Sequence, residues 1–157
     1  VVMKSMLLKL DTETPSAEIV WRGQKDRGIG PAFSPPFLED GHLYGVDMSG
    51  DLCCVKLDTG QHLWSTYAAT SLERRTNYAS AFLVKQADRF FLYNDQGELI
   101  IARLSPQGYE EACRTKILDP RSKSEGRDVV WSHPAYAEKC IFARNDKEIV
   151  CYELMAN

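Results

Sequence analysis

The chain has 157 residues, 44% hydrophobic and 26% charged, which is enough apolar content to bury a core without disulfides. Its 19 basic and 22 acidic residues leave a net charge of −3, so there is no basic excess to neutralise a phosphate backbone, and nucleic acid is not an expected partner. No run of 18 apolar residues occurs, so insertion into a membrane as a helix is not expected either.

Taken in chain order, the predicted elements are short strands. Ser5 to Leu10 reads as a strand, and Glu18-Ile19-Val20-Trp21 as its neighbour. Ala32 to Leu38 is an apolar stretch broken by Ser34-Pro35-Pro36. Leu43-Tyr44-Gly45-Val46 and Leu52 to Leu57 follow, joined by the polar turn Asp47-Met48-Ser49-Gly50, whose residue types tolerate positive φ. A strand ending in Trp64 comes next. The order then recurs. Ala79 to Val84 is the inner stretch, Phe90 to Tyr93 and Leu99 to Leu104 the central hairpin across Asn94-Asp95-Gln96-Gly97, and Tyr109 to Leu118 the outer strand. Asp119 to Asp128 is polar and aperiodic and reads as a loop. Val129 to Tyr136, Cys140 to Ala143 and Ile149 to Leu154 complete the chain, with Asn145-Asp146-Lys147 as the turn.

The recurrence is a repeat of about 47 residues. Leu10, Leu57 and Leu104 are 47 apart, as are Gly50 and Gly97, and Leu154 stands 50 beyond Leu104. Four short antiparallel strands per 47 residues make the blade of a β-propeller. The fold class is therefore all-β: a single segment, 1–157, of three to three and a half four-stranded blades, with repeats near 5–21, 30–67, 76–118 and 128–154.

The stretch Cys54-Val55-Lys56-Leu57-Asp58-Thr59-Gly60-Gln61-His62-Leu63-Trp64 resembles the tryptophan-docking motif of the quinoprotein (PQQ-like) propeller repeat family, with Thr59, Gly60 and Trp64 matching and Cys54 and Lys56 departing. Trp21 ends the first copy in the same way, whereas the third keeps Gly108 and offers Tyr109 in place of a tryptophan. The resemblance implies that Trp21 and Trp64 wedge between adjacent blades over the glycine of the next, with Gly60 as a receiver. The family holds quinone-dependent alcohol and sugar dehydrogenases, which bind pyrroloquinoline quinone with calcium. It also holds many members without quinone, among them the scaffold lipoprotein of the bacterial outer-membrane barrel-assembly machinery. The expectation is a non-catalytic scaffold that binds a protein or a ligand, without cofactor, in a periplasmic or otherwise extracytoplasmic setting. A dehydrogenase fragment is the alternative.

Dehydrogenases of this fold often carry a vicinal disulfide, and Cys53-Cys54 could form one. The next copy has Ile100-Ile101 there, so two free thiols packed on opposite faces of one strand are expected. No Cys-x-x-Cys pair and no metal-ligand spacing occurs among the five cysteines and three histidines. His42 and His62 read as surface residues beside turns, and His133 as a candidate ligand contact at the mouth of the central channel. The recurring turn carboxylates Asp51, Asp58, Asp95, Glu98 and Asp146 need no catalytic explanation. Arg74-Arg75 and Arg121-Ser122-Lys123 are basic clusters in loops, where propeller partners dock. The first residues match a third strand and the last repeat lacks its fourth, so the chain reads as the C-terminal part of a larger propeller whose remainder, a protein partner or a second copy would cover its end faces.

Overall fold

A computed structural model describes residues 5–72 and 74–154. They form an all-β array of consecutive antiparallel sheets, a partial β-propeller. The first blade is the hairpin β1 (Met6–Asp11) and β2 (Ser16–Arg22). The second is the sheet β3 (Phe37–Glu39), β4 (His42–Val46), β5 (Leu52–Lys56) and β6 (His62–Thr66). The third is β7 (Ala81–Gln86), β8 (Arg89–Asn94), β9 (Glu98–Ser105) and β10 (Gly108–Lys116). A small hairpin, β11 (Ser122–Ser124) and β12 (Arg127–Val129), precedes the fourth blade of β13 (Ala135–Ala137), β14 (Cys140–Arg144) and β15 (Ile149–Glu153).

Both faces of the middle blades are covered, which explains the unbroken apolar run Leu52-Cys53-Cys54-Val55. Cys53 and Val55 meet Ile29 on the side of the first blade, whereas Leu52 and Cys54 join Phe90, Leu92, Ile100 and Ala102 of the third. Phe91, Tyr93 and Leu99 point the other way, onto Ile141 and Ala143 of the fourth. Strand alternation thus sends successive side chains into two different inter-blade cores. Cys53 and Cys54 are free and fully buried in separate clusters, as the repeat alignment implied.

Three expectations need correction. The inner strands start later than the apolar pattern suggested, at Phe37, Ala81 and Ala135, because the prolines and small residues before them run as irregular chain along the axis. The polar stretch from Asp119 is not bare loop. Glu125 and Gly126, at φ 48° and 76°, turn it into the β11–β12 hairpin, since two successive left-handed residues fit a tight hairpin turn. Tyr109 does not stand at the position of the docking tryptophans, because the strand register places Cys113 there.

The residue at that third position is Cys113. The aligned pairs are Leu7 with Trp21, Cys54 with Trp64 and Ile101 with Cys113, and each pair sits at a register shift in the outer strand. A bulge re-aims the side chain beside it. It turns the two indoles into the grooves between blades, while Cys113 stays exposed.

Candidate functional site

Strands of alternating direction place the 1–2 and 3–4 turns at one end of the propeller. The 2–3 turns and the long inter-blade connections lie at the other. The chemistry gathers at the connection end.

The indole joints fasten neighbouring blades to one another at the 3–4 turns. Trp21 is 6% exposed, and its Nε1 donates to the Leu57 carbonyl at 2.7 Å. A Cβ on Gly60, which holds φ at +71°, would lie 2.9 Å from Trp21 Cδ2, so the close approach requires glycine there. Trp64 is half-buried and donates from Nε1 to the Ser105 carbonyl at 2.8 Å. No such glycine contact accompanies it, because a Cβ on Gly108 would meet open space. The three blade-docking residues inferred from the motif are thus brought together as Trp21 on Gly60, with Trp64 hydrogen-bonded one blade further on.

Three aromatic side chains, one from each inter-blade connection, converge near the axis. Phe33 stacks on Trp131 with ring centroids 4.4 Å apart, and Tyr78 approaches Phe33 at 6.4 Å. Phe33 is 39% and Tyr78 37% exposed. The scaffold beneath is rigid. Val130 N donates to the Asp95 carbonyl at 2.8 Å, and Arg127 Nη1 stands 2.7 Å from Asp95 Oδ2. Burial pushes the Asp95 carboxyl above its ordinary range, and the Arg127 guanidinium pulls it partly back. These contacts tie the connection bearing Trp131 to the third blade. On the third connection, His133 is exposed, with Nδ1 2.7 Å from the Pro134 carbonyl and its ring 4.6 Å from Phe82.

A cavity of about 770 Å³ adjoins Tyr78 between the first two blades. Its rim carries Lys25, Arg27 and Arg75, all exposed, and its floor carries Asp47 and Asp51. His62 lines it with Nε2 2.6 Å from the Gly28 carbonyl, so His62 bridges two blades and is not the free surface residue its turn position suggested. Asp47 accepts from Gly30 N at 2.9 Å and Ser49 N at 3.2 Å, and Ser49 Oγ also bonds Asp51. The buried Cys53 thiol lies 3.3 Å from Asp51 Oδ2, and burial, with the Asp51 carboxylate beside it, pushes its pKa up, which favours the neutral thiol. Among the described residues, no group of three or more His, Cys, Asp or Glu could hold a metal ion, and no helix is long and apolar enough to cross a membrane.

Sequence reasoning found the tryptophans and the basic loops. It missed Phe33, Tyr78 and Trp131 as a group. Their signal was faint: each precedes, within two residues, a serine of the inner stretch, at Ser34, Ser80 and Ser132.

The fold defines a partial β-propeller of four-stranded antiparallel blades. The crystal structure of BamB from Moraxella catarrhalis is similar, with a TM-score of 0.58 at 13% sequence identity over 97% of this chain. The chain spans 40% of that protein's length. No protein-family model and no curated protein matches the sequence.

Proposed function

We propose that this chain is a non-catalytic binding module that engages a protein partner through its connection end. The carrying observation is the convergence of Phe33, Tyr78 and Trp131 from three different connections onto one half-exposed patch. Large aromatic rings held on a rigid scaffold, with arginines beside them, have the composition of interface hot spots. The absence of a cofactor and an extracytoplasmic setting are part of this proposal and rest on the family resemblance. The proposal also includes further blades. Met6, Leu8 and Leu10 on the first blade and Phe142 and Ile149 on the fourth leave apolar end faces exposed, which neighbouring blades would cover.

Site-specific photo-crosslinking in the source cell tests the binding end. A crosslinker at Tyr78 is expected to capture a discrete protein, and one at Gln107, exposed in the 3–4 turn of the third blade, is not. Equal capture at both positions would refute the assignment. The dehydrogenase alternative is tested by adding pyrroloquinoline quinone and calcium and then desalting. Retained quinone absorbance would favour that alternative.

A further inference from the structure

We propose that the aromatic patch and the basic rim beside it form one continuous groove for an extended acidic peptide segment with an aromatic or large apolar anchor. This deepens the reading of the connection end as a protein-binding surface and rests on it.

Continuity comes from Tyr78, which belongs to both halves. Its ring flanks Phe33 on the patch side, and the residue also lines the 770 Å³ cavity. The stacked pair Phe33–Trp131 offers one flat face on which a single side chain can lie.

The charge of the occupant follows from which groups are already satisfied. Asp47 and Asp51 lie at the cavity floor and spend their acceptors on the chain itself: Gly30 N, Ser49 N, the Ser49 hydroxyl and the Cys53 thiol. Lys25, Arg27 and Arg75 stand at the rim, exposed, and form no ion pair among the described residues. The next residue back, Arg74, is likewise exposed and without an ion pair among them. A ligand arriving from solvent therefore meets Lys25, Arg27, Arg74 and Arg75, with Asp26 as the one exposed acid among them in that connection, and none of the five forms an ion pair among the described residues. Arginine forks recognise carboxylates bidentately, and such charges fix register more than they add affinity. An acidic residue a few positions from the anchor would reach Arg75 when the anchor lies on Phe33 and Trp131.

The experiment is selection of a random peptide library, displayed on phage, against the immobilised chain, followed by binding of the selected peptides as synthetic fluorescent probes. The expected peptides combine Asp or Glu with an aromatic or large apolar residue. Arg75→Glu, an exposed charge reversal that leaves the core untouched, should weaken them at least tenfold. Phe33→Ala should do the same, and Gln107→Lys, exposed in the 3–4 turn of the third blade, should leave binding unchanged. Peptides without acidic enrichment, peptides insensitive to both Arg75→Glu and Phe33→Ala, or an empty selection would each overturn the proposal. If crosslinking from Tyr78 still captures a protein in those cases, the connection end binds a folded surface, and only the acidic-segment inference has failed.

Discussion

The joint of Trp21 on Gly60 is what fastens the first blade, and removing the indole should release that blade alone. β1 and β2 form an isolated two-stranded hairpin, and such hairpins are at best marginally stable in water. Its anchor is one nearly fully buried indole with a 2.7 Å hydrogen bond to Leu57. Truncating a buried tryptophan to alanine costs roughly 3–5 kcal/mol, more than a lone hairpin can hold. In Trp21→Ala, hydrogen exchange of the β1 and β2 amides should therefore approach that of unstructured chain, while β8 and β9 keep their protection. Trp21→Phe keeps most of the ring but strands the Leu57 carbonyl, at about 1–2 kcal/mol, and should give an intermediate loss. Gly60→Ala adds a Cβ 2.6 Å from Arg27 Cγ and 2.9 Å from Trp21 Cδ2. The arginine stem can move aside and the indole cannot. Once Trp21 is alanine, that clash is gone, so the double variant should cost less than the sum of the singles by about 1 kcal/mol or more. Protection in the hairpin that falls less than tenfold in Trp21→Ala, or strictly additive variants, would refute the joint.

Three other outcomes follow from the same coordinates. Alkylation without reductant should label the exposed Cys113 and Cys151 first and the buried Cys53 and Cys54 only on unfolding; mass analysis showing a Cys53–Cys54 disulfide would contradict this and revive the quinone reading. The isolated 157 residues should self-associate through the apolar end faces, with Leu10→Lys and Ile149→Lys shifting light scattering toward monomer, and a wild-type chain that stays monomeric at high concentration would count against exposed end faces. Glu111 is held below its ordinary carboxylate range, chiefly by its hydrogen bond to Arg114, which also reaches Glu98 and the Ala68 carbonyl. A depressed folded pKa stabilises above the unfolded value and is lost as pH falls through the folded one, so the gap in melting temperature between wild type and Glu111→Gln should narrow as pH falls below the unfolded carboxylate value of about 4.3, and a gap constant through the whole acid range would refute the coupling.

The fold was legible because each blade repeats its own strand chemistry. Leu52 to Lys56 and Glu98 to Ser105 are continuous apolar runs bounded by turn residues, and the constant spacing ranked them as copies even where the residues differ. The strand starts were less legible. Pro35, Pro36 and Pro134 sit in apolar surroundings, and hydrophobicity alone does not say whether such residues run in a ladder or along an axis. The bulges at Leu63 and Ala112 were invisible, since an extra residue leaves no compositional mark. Counting four residues on from the glycine, as from Gly60 to Trp64, points to Ala112, whereas the register points to Cys113.

The site was legible one residue at a time, and its meaning lay in comparing copies after alignment. Asp47, Asn94 and Asn145 begin the same turn in three blades. Asn94 Nδ2 donates to the Ala69 carbonyl at 3.3 Å and to Glu98 Oε2 at 2.7 Å; Asn145 Nδ2 donates to the Asp119 carbonyl at 3.0 Å. In both blades an amide latches the turn to the preceding connection. The Asp47 side chain has no N–H to give, and its carboxylate accepts from Gly30 N instead. The one carboxylate among three otherwise equivalent turns is the one at the cavity floor. The first connection is still held, since Gly30 N donates to the carboxylate and Met48 N donates to the Gly30 carbonyl at 3.1 Å. Sequence composition records that substitution as one turn-forming residue for another, and only the structure shows that the side-chain latch runs in the reverse direction in the blade whose turn lines the cavity.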